Sequence, residues 1–112
     1  SYTSFAFGSP SYVNGKVTVD VTNTGTCDGD EIVQVYLRHT ADKKGPKKTL
    51  RGFKRVSVKA GETKKVVIDM PKENFETWDA STNTMRVIGG KYDIMVGNSS
   101  RDTDLKHITV KL

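Results

Sequence analysis

Apolar side chains recur at every second position along most of this chain, and the three-to-four spacing of an amphipathic helix is almost absent. Val17, Val19 and Val21 alternate with Thr18, Asp20 and Thr22, the pattern of a strand with one buried face. Asn14-Gly15 stands just before this run as a type I′ turn pair, and Asn23-Thr24-Gly25 closes it with turn residues. Next comes Glu31-Ile32-Val33-Gln34-Val35-Tyr36-Leu37. Val33, Val35 and Leu37 share one face while Ile32 and Tyr36 occupy the other, so both faces are partly apolar, as in a central strand of a sandwich. A polar stretch from His39 to Lys48, broken by Gly45-Pro46, leads to a β-rich run from Leu50 to Val58. Phe53 has the opposite parity to Val56 and Val58, and a bulge or a switch between sheets near Gly52 reconciles them.

The second half continues the pattern. Lys59-Ala60-Gly61-Glu62 reads as a turn, and Val66, Ile68 and Met70 then alternate with Lys65, Val67 and Asp69. Pro71 to Thr77 is the one helical turn, with Pro71 near its start, and it is too short to stand as an independent helix. Met85 to Ile88 reads as a short strand and Gly89-Gly90 as a hairpin turn leading into Tyr92, Ile94 and Val96. After a polar loop from Asn98 to Asp104, Ile108, Val110 and Leu112 alternate with His107, Thr109 and Lys111. Phe5 and Phe7 indicate a further strand near the start. About seven or eight short strands separated by turns predict an all-β fold, an antiparallel two-sheet β-sandwich. Its core is expected at Val17, Val19, Val21, Val33, Val35, Leu37, Ile68, Ile94 and Val96.

Length and charge narrow the function more than they name it. The chain has 112 residues, one domain's worth, whereas a parallel α/β barrel typically takes about 250. Large enzyme folds are excluded on that ground. Hydrophobic content of 35% and charged content of 28% suit a globular domain. No apolar run approaches the roughly 20 residues of a membrane helix, so no membrane partner is expected. The chain opens Ser1-Tyr2-Thr3-Ser4-Phe5, without an initiator Met, a basic start or an apolar stretch. It therefore reads as an internal fragment that carries no signal peptide. A net charge of +5 permits nucleic acid, anionic lipid or acidic polysaccharide as a partner and singles out none. The single Cys27 cannot form an internal disulfide or an immunoglobulin Cys–Trp–Cys core, and one buried thiol suits either redox compartment.

Few residues invite chemistry. His39, after an apolar strand, and His107, on the polar face of the last strand, read as ordinary surface residues. Asp28-Gly29-Asp30-Glu31 is a weak calcium motif: an EF-hand loop spaces its ligands over 12 residues, and here the acids stop after four positions, so a polar turn is expected. Gly89-Gly90 lies between two strands rather than before a helix, which removes the phosphate-loop reading. Lys43, Lys44, Lys47, Lys48, Arg51, Lys54 and Arg55 crowd one segment. A single-strand nucleic-acid binder would add stacking aromatics, but only Phe53 lies inside the segment and it is expected in the core. A solvated loop and a Lys-protected edge strand are expected instead, with no nucleic-acid partner. Trp78 and Tyr92 could stack on sugars, but both are expected to plug the core. Asn98-Ser99-Ser100 fits an N-glycosylation acceptor. No catalytic, cofactor-binding or metal-binding residue is assigned.

The order of several segments carries more. Asn23-Thr24-Gly25 followed by Gly29-Asp30-Glu31-Ile32-Val33-Gln34-Val35-Tyr36-Leu37 resembles a segment of the fibronectin type III-like domain that ends many family-3 glycoside hydrolases. Leu50-Arg51-Gly52-Phe53-Lys54-Arg55-Val56 looks like the next block, and Ala60-Gly61-Glu62 before a strand like the third. Gly90-Lys91-Tyr92-Asp93-Ile94-Met95-Val96-Gly97-Asn98-Ser99-Ser100 looks like the last, and Ser1-Tyr2-Thr3-Ser4-Phe5 resembles the entry. Cys27 and the Lys-rich 43–48 loop depart from the usual pattern. The resemblance implies an immunoglobulin/fibronectin type III-like sandwich over residues 1–112. It also implies a parent β-glucosidase or β-xylosidase, periplasmic or secreted, whose nucleophile and acid/base group lie in other domains of the same chain. The module itself is then a structural accessory domain with those catalytic domains as its partners. The alternative is a polysaccharide- or polyanion-binding module.

Overall fold

The computed structural model describes residues 4–40, 48–101 and 104–112. Ten strands form two four-stranded antiparallel sheets and one separate ribbon. In the first sheet β3 (Lys16–Asn23) is flanked on one side by β1 (Phe5–Phe7) and β2 (Ser11–Val13), and on the other by β6 (Thr63–Asp69). The second sheet has the order β10 (Lys106–Lys111), β9 (Lys91–Gly97), β4 (Gly29–His39), β5 (Thr49–Val58). The ribbon pairs β7 (Thr77–Asp79) with β8 (Thr84–Arg86).

Valine alternation is what closes the sandwich. Val17, Val19 and Val21 of β3 and Val66 and Ile68 of β6 face Val33, Val35 and Leu37 of β4 and Tyr92, Ile94 and Val96 of β9 in one buried cluster. The nine strand positions predicted for the core, from Val17 to Val96, all lie in it, and Phe53 and Trp78 do not. Val56 and Val58 complete the far edge, and Met70 with Phe75 closes the bottom. Phe75 sits on the 3-10 turn Lys72–Phe75 and receives Tyr12 and Tyr92 edge-on, with ring centroids 5.6 and 5.4 Å away. Such contacts favour the ring quadrupoles as well as burying area.

Turn chemistry sets the register where it was expected. Asn14 and Gly15 both have positive φ, 53° and 73°, which is the type I′ geometry joining β2 to β3 with two residues. In β5 the ladder slips opposite Val35 and Tyr36, which pair with Gly52 and Leu50, so Arg51 is the extra residue of a bulge. The register is unbroken from Gly52 to Val58, so Phe53 keeps the parity opposite to Val56 and Val58 and points outward opposite Gln34, 68% exposed rather than in the core.

Three other expectations change. Gly89-Gly90 does not close a hairpin: β8 pairs back with β7, and Gly90 exchanges backbone hydrogen bonds with Leu112, extending the β9–β10 ladder. Trp78 is not a core plug, since Phe75 fills that place three residues earlier. Cys27 is exposed rather than buried.

Candidate functional site

The residues singled out for chemistry fall into separate places, and most are occupied by local bonds. At one end, Asp28 Oδ1 accepts the Ala60 N–H at 2.8 Å, tying the start of β4 to the turn after β5. Asp30 accepts the Ser57 hydroxyl at 2.6 Å and the Arg55 guanidinium at 2.7 Å across the β4–β5 pair. Glu31 accepts the Asn98 side-chain amide at 2.9 Å. The three acids therefore serve three different staples, and among the described residues no group of three or more His, Cys, Asp or Glu could hold a metal ion. The same bond occupies the nitrogen of the Asn98-Ser99-Ser100 acceptor sequence.

Electrostatics at the carboxylates runs in one direction. The Ser57 hydroxyl and then Arg55 hold Asp30 below the usual carboxylate range. Lys16 does the same for Asp69, and the Ser81 hydroxyl does so for Asp79. A glycosidic acid needs the opposite, a carboxyl kept protonated near neutral pH beside an ionised partner about 5 Å away. These three are stabilised as anions, which suits ion pairing and not proton donation.

The histidines behave as structure. His39 packs edge-on against Tyr92 at 4.6 Å, and its Nε2 lies 3.1 Å from the Gly89 carbonyl. A carbonyl only accepts, so Nε2 carries the proton in that contact. His107 is exposed on the last strand. Tyr92 is buried, donates its hydroxyl to the Ile88 carbonyl, and has its phenol pushed up by burial.

The basic segment divides in two. Lys43, Lys44 and Lys47 lie outside the described residues. Arg51 donates to the carbonyls of Asn74 and Glu76 at 3.1 and 2.6 Å, fixing the base of the β7–β8 ribbon. Arg55 is paired with Asp30, and Lys54 reaches the Val67 carbonyl at 3.3 Å on the neighbouring edge strand. A groove of about 500 Å³ runs between β5 and β6, lined by Leu50, Phe53 and Val67 among others. Both strands are sheet edges, and Lys54 and Lys64 place their ammonium groups on the exposed carbonyls there.

The sequence missed one polar centre. Asn23 is fully buried; its amide donates to the carbonyls of Cys27 and Val58 and its oxygen accepts the Gly25 N–H, all at 2.9 Å. Its position at the end of a valine-alternating strand, on the inward parity of Val17, Val19 and Val21, was the available signal.

Comparison with known proteins relates the chain to a small part of much longer enzymes. The chain is 50% identical over 97 residues to a xylan 1,4-β-xylosidase of Xylanibacter ruminicola, covering 87% of this chain and 11% of that protein. A β-glucosidase structure from Streptomyces venezuelae superposes with a TM-score of 0.86 at 37% identity, over 99% of this chain and 15% of that one. A family-3 β-glucosidase structure from Bifidobacterium adolescentis gives 0.86 at 34%, over 99% and 17%. This chain thus spans only a small part of the length of the proteins it matches. Residues 31–100 match the family defined as the fibronectin type III-like domain, and with the two-sheet sandwich around them the chain belongs to that family.

Proposed function

We propose that residues 1–112 form one non-catalytic accessory domain of a family-3 glycoside hydrolase. The hydrolysis of β-xylosides or β-glucosides would be carried out by other domains of the same polypeptide. One observation carries this reading: 50% identity to a β-xylosidase is confined to 11% of that enzyme's length. A further support is chemical, because the carboxylates at Asp30, Asp69 and Asp79 are all biased toward the ionised form. The parent is proposed to work in the periplasm or outside the cell, where polymeric and oligomeric glycosides are met.

The binding-module alternative gains one exposed ring, Trp78, and no second beside it among the ring contacts of the described residues. Tyr92, one of the two aromatics considered for sugar stacking, is buried beneath Phe75 and His39. Trp78 faces Met85 across the ribbon and not a second ring.

The test compares this chain with the full polypeptide that contains it. Purified full-length protein is expected to release p-nitrophenol from the β-xyloside or β-glucoside. The chain alone is expected to release none from either, because the acid and nucleophile are proposed to lie in the other domains. Turnover by the chain alone that disappears on one Asp or Glu substitution within it would overturn the proposal.

A further inference from the structure

The β7–β8 ribbon presents its side chains the wrong way round for a free surface. Thr77 and Asp79 are half-buried, while Trp78 and its cross-strand partner Met85 are each 56% exposed. The largest side chain of the ribbon is therefore the one left in water. A two-stranded ribbon is at best marginally stable by itself, and burial of an apolar face is what normally sustains it.

Its polar side is already satisfied. Asp79 Oδ1 accepts the Ser81 N–H and hydroxyl at 3.0 and 2.7 Å, and Oδ2 pairs with Arg86 at 2.7 Å. Asn83 takes a left-handed conformation, φ 55°, that turns the loop back. Arg51 clamps the base through the Asn74 and Glu76 carbonyls. The polar bonds thus hold the ribbon in shape and leave Trp78 and Met85, paired across it, more than half exposed.

Charge marks the same face. Between residues 77 and 86 the only charged side chains are Asp79 and Arg86, which neutralise each other. Alternation along the strands puts them on the face opposite Trp78. The loop that joins them, Ser81, Thr82 and Asn83, is neutral, and by the same alternation the nearest charge on the Trp78 side is Glu76 at the ribbon's base. An exposed aromatic anchor with a thioether beside it has the composition of an interface core. The competing apolar surface, Ile32, Leu50 and Phe53, is interleaved with Lys54 and Arg55, whose charges would have to be desolvated on docking.

We propose that the β7–β8 ribbon is the element by which this module docks, with Trp78 as its anchor, and that the occupant is an apolar pocket on the catalytic body of the same polypeptide. This rests on the reading of the chain as one domain of a larger glycosidase. The relatives supply the reason for an occupant in cis: the matched module is 11% of the xylosidase and 17% of the Bifidobacterium enzyme, so a far larger body is tethered beside it. Tethering raises the effective concentration of the two surfaces, and one well-filled aromatic pocket then suffices where a free partner would need a broad interface.

The experiment uses the full polypeptide and follows amide hydrogen exchange of residues 77–86 by mass spectrometry, with this chain alone as reference. Exchange in the full polypeptide is expected to be about tenfold or more slower than in the chain alone. Trp78→Ser with Met85→Ser should abolish that protection and lower the first unfolding transition of the full polypeptide, while Trp78→Phe should retain most of both. Trp78 is the only Trp of the chain, so its fluorescence reports separately on the chain alone, where solvent-exposed emission independent of protein concentration is expected. Equal exchange in the two proteins, with hydrolysis intact in the full one, would overturn the docking assignment and leave the parent reading standing. Protection that moves to residues 50–55 instead would place docking on the other apolar surface. A concentration-dependent blue shift would mean self-association, and a shift on adding xylo-oligosaccharide would mean a sugar site; either overturns the proposal. A full polypeptide without glycosidase activity removes the parent reading, and the docking proposal with it.

Discussion

Asn23 shows how one side chain can hold two loops that no strand reaches. Its three hydrogen bonds join the end of β3 to the Cys27 carbonyl, the Val58 carbonyl at the end of β5, and the Gly25 N–H. Without this side chain the buried Val58 carbonyl loses its amide donor, and an unsatisfied buried polar group costs about 1–3 kcal/mol. Asn23→Ala is therefore expected to destabilise the chain by about 1–3 kcal/mol in urea unfolding. Asn23→Asp should do no better, since it keeps the acceptor for Gly25 and loses both donors. Asp30 offers a second measurement at this scale, with the sign set by its environment. Ser57 and Arg55 hold its folded-state carboxyl below the ordinary range, so on acidification the unfolded chain takes up that proton first. Its contribution is present above the ordinary carboxylate value and is lost as pH falls through the lower, folded-state value. Because Asp30 is exposed, solvent screens the effect and it is small. Melting temperatures followed from neutral pH into the acid range should drop less steeply in Asp30→Asn than in the parent chain; a steeper drop would contradict the assignment.

Among the elements, Gly52 is where sequence and geometry meet most directly. A bulge does lie beside Gly52, opposite Val35 and Tyr36, but it does not reconcile Phe53 with Val56: no shift separates those two, and Phe53 faces outward. A Cβ on Gly52 would come within 2.9 Å of Met70 Sδ and 3.4 Å of Ile68 Cγ2, both in the core. Met70 is fully buried, so its thioether must shift within the core, and Gly52→Ala should cost about 1–3 kcal/mol of overpacking; an unchanged unfolding midpoint would show that Met70 moves aside. The strands that could be read from the chain are those that bury one face, because burial imposes the period of two: β3, β4, β6 and β9 all fall where valine and isoleucine alternate. What could not be read has a matching cause. Every residue of β8 is exposed, so no apolar period says which strand it joins, and Gly89-Gly90 beside it took on the look of a turn. The real turn, Ala80 to Asn83, carried its signal in Asp79 bonding to Ser81 and in a left-handed Asn83. β2 has three residues, too few to show a period. Phe75 holds the core place expected of Trp78, because hydrophobicity ranks side chains and does not place them: the 3-10 turn aims Phe75 inward and the following extended residues carry Trp78 out.

At the scale of the whole molecule the question is whether a net charge of +5 amounts to a function. A basic surface draws any polyanion at low ionic strength, because releasing condensed counterions from heparin or DNA drives association whatever the geometry. A dedicated site adds contacts that salt does not screen, such as bidentate Arg forks or rings stacked on bases. The described part of the basic segment has already spent those groups elsewhere. Arg51 is committed to two carbonyls at the base of the ribbon, and Arg55 to Asp30. Phe53 is exposed, contrary to its expected place in the core, so one ring is on offer, and Tyr36 on the same outer face is half-buried with its hydroxyl donated to Gln34. Binding of heparin and of single-stranded DNA is therefore expected to be weak and almost wholly electrostatic. Titrations across a salt series should give affinities that fall steeply with ionic strength, leaving no submicromolar binding at about 150 mM, where charges farther apart than about 8 Å are largely screened. Replacing Lys43, Lys44, Lys47 and Lys48 with Ser should flatten the salt dependence and take with it most of the low-salt affinity. Submicromolar affinity that survives about 150 mM salt and is lost in that variant would mean that the segment holds contacts beyond charge. The module would then be a polyanion reader and not a framework domain.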